Sequence, residues 1–166
     1  MRQFATCSML VWVLALPGCA ALMPAPPAAG DTLEAVTARL GKPSAIYATG
    51  PEQTLEYATG PMGQHTWMAR MGPDRRLLSF EQVLTSEKFA TITVGTSTRE
   101  QVLRTFGRPA EQSRVALRNY EVWSYRYKEA GVWNSLMHVH FDSAGVVQML
   151  QNGPDPMYEY NDALRD

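Results

Sequence analysis

The chain has 166 residues, 45% of them apolar and 19% charged, with a formal net charge of −1. This length suits one domain of ordinary size or two very small ones. The composition is that of a globular protein, and the near-zero charge excludes the electrostatic footprint of a nucleic-acid binder.

Residues 1–18 read as a removable secretory signal. Arg2 is their only charge, and the apolar run MLVWVLAL (9–16) is too short to span ~30 Å of hydrocarbon. The exit Leu16-Pro17-Gly18-Cys19 resembles the lipobox of bacterial lipoproteins, in which cleavage precedes a cysteine that becomes acylated. The alternative is an ordinary secretory signal followed by a chance cysteine. Cys7 leaves with the signal, so Cys19 is the lone cysteine of the mature chain and no internal disulfide is possible. An acyl anchor, palmitate included, would consume that thiol, and several chains hold a membrane where one does not. Ala20 follows Cys19. For bacterial lipoproteins generally, the lack of an aspartate there argues against inner-membrane retention. Residues 19–29, rich in proline and alanine, read as an extended tether reaching up to ~30 Å.

Two phrases follow, AGDTLEAVTARLGKPS (29–44) and GTSTREQVLRTFGRPA (95–110). They share Thr32/Thr98, Glu34/Glu100, Val36/Val102, Gly41/Gly107 and Pro43/Pro109. Each is a short amphipathic helix with its punctuation. Asp31 with Glu34, and Ser97 with Glu100, are expected to form capping boxes. Gly41 and Gly107 fall where a helix ends in a left-handed residue, and Pro43 and Pro109 forbid its continuation.

After each helix, alternation predicts strands. LEYAT (55–59) faces EVWSY (121–125), with Tyr57 opposite Trp123; WMARMGPDRRLLS (67–79) faces MHVHFDSAGVVQM (137–149). The latter pair read as strand, turn, strand. Met137, Val139 and Phe141 would share a buried face with Val147 and Met149, and Trp123, Tyr125 and Tyr127 would form a core row. Thr85 would cap a further helix over 85–92, with Phe89 and Ile92 inward. The expected plan is α+β: two tandem units, 30–84 and 85–152, each a three-stranded antiparallel sheet with helix on one face, packed as one body, then a tail over 153–166.

GTSTREQVLRTFGRP, EVWSYRY and HVHFDSAGVV together resemble the SmpA/OmlA (BamE-like) lipoprotein domain of Gram-negative bacteria. The likeness is clear over 85–151 and weaker over 29–84. It implies a fold similar to the β-lactamase inhibitory protein. It implies a non-enzymatic accessory lipoprotein, anchored in the outer membrane through acyl chains on Cys19 and facing the periplasm, with an envelope protein as partner. The partner in the best-known branch is the machine that inserts β-barrel proteins. This chain departs from that branch in carrying two units. A rival reading on the same fold is an inhibitor that clamps a secreted enzyme.

Candidate chemistry is sparse. His138, His140 and Asp142 would share a strand face, which suits either a metal or a solvated outer face; the first unit offers Met68, Arg70 and Gly72 instead, so no metal and no cofactor is expected. No G-x-S-x-G, P-loop or dinucleotide motif occurs, so no catalytic residue is assigned. Trp133, on the loop EAGVW (129–133), is either a partner anchor or folded back on the sheet. Tyr158 and Tyr160 lie in a tail that is either loose or a docking segment.

Overall fold

A computed structural model describes residues 25–158. The signal, Cys19 and Tyr160 lie outside the described residues. In chain order the elements are α1 (Leu33–Leu40), β1 (Ala45–Thr49), β2 (Glu52–Thr59), β3 (His65–Met71), β4 (Leu77–Gln82), α2 (Ser86–Phe89), α3 (Arg99–Phe106), β5 (Glu111–Val115), β6 (Tyr120–Glu129), β7 (Trp133–Phe141) and β8 (Val147–Pro154). Single 3-10 turns occupy Pro61–Gly63 and Ala116–Arg118. Among the described residues no helix is long and apolar enough to cross a membrane.

The strands form two antiparallel sheets, ordered β1-β2-β3-β4 and β5-β6-β7-β8. Each has four strands, where three were expected. The missed strands, β1 and β5, are edge strands that carry little or no buried apolar alternation. All five residues of β5 are exposed, so only the backbone ladder reveals it.

The two sheets share one hydrogen-bonding plan. Ala45 faces Glu56 in the first and Glu111 faces Ser124 in the second. Both last hairpins shift register at the same place, between Arg70 and Met71 and between His140 and Phe141. Ser44 N–H donates to Glu56 O as Ala110 N–H donates to Ser124 O, and Leu77 N–H donates to Asp31 O as Val147 N–H donates to Ser97 O. The ladders match Tyr57 with Tyr125, not with Trp123 as the ungapped alignment had it, because the β5–β6 connection is two residues longer. Met149 is also displaced from its expected face. The bulge inverts alternation along β8, so Val147 and Leu150 join the core while Met149 pairs with His140 on the other side.

The helix starts differ from expectation by one residue. Thr32 and Thr98 are the N-caps; their hydroxyls accept from Ala35 N–H and Gln101 N–H. Gln101 reaches back to Thr98 N–H and completes the capping box of α3. Asp31 instead accepts from Ala28 N–H and pairs with Arg39, and Ser97 accepts from Thr93 N–H. Glu34 and Glu100 fall one place short of the reciprocal position and pair with Arg75 and Arg104. Asp31 and Ser97 are drawn into loop contacts, and a threonine in extended backbone next to each takes the cap. At the other end Gly41 and Gly107 have φ of 80° and 78°, a region that favours glycine, and each N–H closes on a carbonyl of the last turn.

Each sheet buries one face under helix. In the first unit Val36 meets Leu55, Ala69, Met71 and Leu77. In the second, Phe89 stacks on Phe106 at 4.8 Å, meets Tyr127 edge-on at 5.1 Å, and lies beside the Trp123–Tyr125–Tyr127 row, which is core. Met68, Val83 and Leu84 extend this second core into the first unit, so the two units pack as one body.

Candidate interaction surfaces

The joint between the units is built on Glu56. Alternation on β2 sends Leu55 and Tyr57 to α1 and leaves Glu56 on the opposite face, where it is only 2% exposed. A carboxylate there needs donors. Tyr47 OH donates to it at 2.5 Å and the backbone N–H of Arg108 at 3.3 Å. Arg108 follows Gly107 at the end of α3, so the repeated phrase of the second unit closes on the sheet of the first. Tyr125 OH donates to Gly107 O at 3.1 Å, and Arg104 reaches Ala48 O and the Thr49 hydroxyl. Burial and the adjoining Glu56 carboxylate hold the Tyr47 phenol far above its ordinary pKa, and burial does the same to Tyr125. A cavity of about 250 Å³ lies beside this joint, lined by Ser44, Glu56, Thr66, Leu84, Arg108 and Arg126 among others. A second cross-link sits further along, where Gln64 Nε2 donates to Asn134 Oδ1 at 2.8 Å.

The helix-free face of the second sheet carries Ser124, Arg126, His138 and His140. His138 shares a 2.7 Å hydrogen bond with Ser124. The face is therefore largely packed rather than a solvated row: His140 is 6% exposed. Asp142 does not join the histidines. It is taken up by Ala144 N–H, Val146 N–H and Gln148 Nε2 in the β7–β8 turn. Among the described residues no group of three potential ligands could hold a metal. Arg126, 7% exposed at its side chain, pairs with Asp155 at 3.0 Å and with Glu111. The start of the tail is thereby bound to the sheet. Asp155 N–H also donates to Asn134 O, and Tyr158 N–H closes a turn on Asp155 O. Nothing in the sequence marked Asp155, because its partner is distant in the chain.

The β6–β7 tip is an apolar projection. Ala130 and Gly131 take positive φ to make the turn. Val132 is 66% exposed and Trp133 is 70% exposed, so Trp133 does not fold back on the sheet. A cavity of about 270 Å³ between His65, Lys128, Ala130 and Gly131 sets this tip beside the start of β3. The N-terminal segment enters at the other end of that strand. Gly30 N–H donates to Leu77 O, Arg76 reaches Gly30 O, and Pro26 O accepts from Arg39. Entry and tip are separated by a seven-residue strand, roughly 20 Å. Residues 26–30 lie against the first unit.

Residues 81–150 match the family model of the outer membrane protein assembly factor BamE domain. The resemblance read from the sequence is thus shown for this stretch, which holds α2, α3, β5, β6, β7 and the start of β8. A search of curated proteins finds no match. A solved structure, that of a DUF4309 family protein (YjgB) from Bacillus subtilis, is similar over 72% of this chain and 76% of its own, at 14% identity and a TM-score of 0.33.

Proposed function

We propose that the chain is a lipid-anchored interaction module on the periplasmic side of the outer membrane, accessory to β-barrel protein assembly or envelope maintenance. The observation that carries this reading is the BamE-domain match, which coincides with the second sheet and its helices. The paired ladders and paired helix caps support a tandem of two BamE-like units, one over 30–84 and one over 85–152, though only the second is matched.

The mechanism is binding rather than catalysis. Acyl chains on Cys19 confine the protein to the membrane. The interlocked units form a rigid body, and the β6–β7 tip presents Val132 and Trp133 at the end away from the entry of the tether. An exposed tryptophan on a short turn is a suitable anchor for a protein partner. Tyr158 and Tyr160 are the tail residues offered to the same partner, and Asp155, which holds the start of the tail, is bonded beside Asn134.

Fatty-acid labelling with membrane fractionation tests the anchor. The wild type takes up label and sediments with the outer membrane, and Cys19→Ser does neither. A wild type that takes up no label and is free in the periplasm overturns the reading. A pull-down that returns a secreted hydrolase instead of assembly components favours an inhibitor.

A further inference from the structure

His140 has no evident role in the binding surface above, yet its placement is costly. It is 6% exposed, and neither ring nitrogen has a hydrogen-bond partner or solvent contact. Its neighbours are apolar or uncharged. Val122 and Met149 flank it across the two ladders, and Tyr120 meets it edge-on at 6.5 Å. A neutral imidazole tolerates this setting; an imidazolium there would lack both water and a counter-charge.

No facing group supplies that charge. On its own strand His138 is bonded to Ser124 and would add a like charge. On β5 and β6, Glu111 and Arg126 are paired with each other, and Arg126 also with Asp155. On β8 the neighbours are Met149 and Gln151, and the Asp142 carboxylate of the adjoining turn is held by its own amides and Gln148. On the β5–β6 hairpin Arg114 pairs in register with Glu121 on the opposite face of the sheet, and Glu121 is held by Arg99.

The weakest wall of this enclosure is the tip. Every residue of β5 is exposed. The Ala116–Arg118 turn has no side-chain cap, Asn119 is left-handed at φ 52°, and Leu117 is 99% exposed. Tyr120, which covers the imidazole, is the first residue of β6 after this turn. The other walls are the long strands β6, β7 and β8.

We infer that the β5–β6 hairpin tip is an acid-released flap, seated while His140 is neutral and opened when its imidazole takes a proton. Burial holds the pKa of His140, and of His138, below the ordinary histidine value. The closed state therefore binds fewer protons than the open one. Closure is complete above the ordinary value of ~6.5 and is lost as pH falls toward the depressed value, by up to ~10-fold in the closing equilibrium per pH unit. Opening would change the surface that Val115 and Leu117 present.

Amide exchange read by mass spectrometry on the purified full chain, between pH 7.5 and 5, tests the flap. After correction for intrinsic exchange, protection over 113–121 should fall severalfold below pH ~6.5 in the wild type. In His140→Phe, which cannot charge, it should stay flat. The same pH dependence in His140→Phe overturns the proposal. Should that variant fail to fold, proton NMR of the wild-type imidazole decides. Backbone resonances over 113–121 that shift together with a His140 titration below ~6.5 support the flap, and a His140 that titrates with no change over 113–121, or at or above ~6.5, overturns it.

Discussion

Glu56 occupies the space that a side chain at residue 107 would need: a Cβ built on Gly107 would lie 2.7 Å from the carboxyl carbon and from one carboxylate oxygen of Glu56. Gly107 is thus required twice, for its φ of 78° and for its lack of a side chain. Its counterpart Gly41 has nearly the same φ but nothing within 4 Å of such a Cβ. Gly41→Ala should cost about 1–2 kcal/mol, the strain of positive φ alone. Gly107→Ala should cost about 2–5 kcal/mol, since overpacking is added. Urea denaturation of the two variants checks the difference, and equal losses would mean that the joint yields freely.

The buried carboxylate depends on its donors. Tyr47→Phe removes the phenol that donates to Glu56 and should cost about 1–3 kcal/mol, because a buried acceptor loses its partner. A double-mutant cycle with Glu56→Gln should show a coupling of about 0.5–3 kcal/mol between the two positions. Additive losses would indicate that the bond contributes nothing.

Arg126 and Asp155 tie the end of the last strand to the sheet. Asp155→Ala strips one partner from a buried guanidinium and should cost about 3–5 kcal/mol. Truncation before residue 155 should reproduce that loss, whereas truncation after Tyr158 should change stability by less than about 0.5 kcal/mol. Thermal unfolding of the three forms makes the comparison.

Trp133 should behave in the opposite way. It is 70% exposed, so Trp133→Ala should alter stability by no more than about 0.5 kcal/mol while reducing capture of the partner. Matched unfolding curves with an unchanged crosslinking pattern would remove the tip from the binding surface.

What the sequence made legible was whatever repeats locally. Gly41 with Pro43, and Gly107 with Pro109, mark helix ends because a helix cannot pass them, and the Trp123–Tyr125–Tyr127 row marks a core strand because alternation is a short-range signal. The sequence leaves the cap open between neighbours, because Asp31, Thr32, Ser97 and Thr98 are all capable caps and the choice among them is made by loop contacts such as Ser97 with Thr93 N–H. β1 and β5 were hidden because they are held mainly by their ladders and bury little side chain. The Glu56–Gly107 joint, the Arg126–Asp155 pair and the enclosure of His140 join residues far apart in the chain, and only the packed structure reveals them.

The most direct measurement is photo-crosslinking in living cells from a reactive residue at position 133, with the captured proteins identified by mass spectrometry in wild-type and Cys19→Ser backgrounds. The account predicts capture of a component of the β-barrel assembly machinery in the outer-membrane fraction, lost when Cys19 is replaced. Capture of a soluble secreted enzyme, or a crosslink that persists unchanged without Cys19, would contradict it.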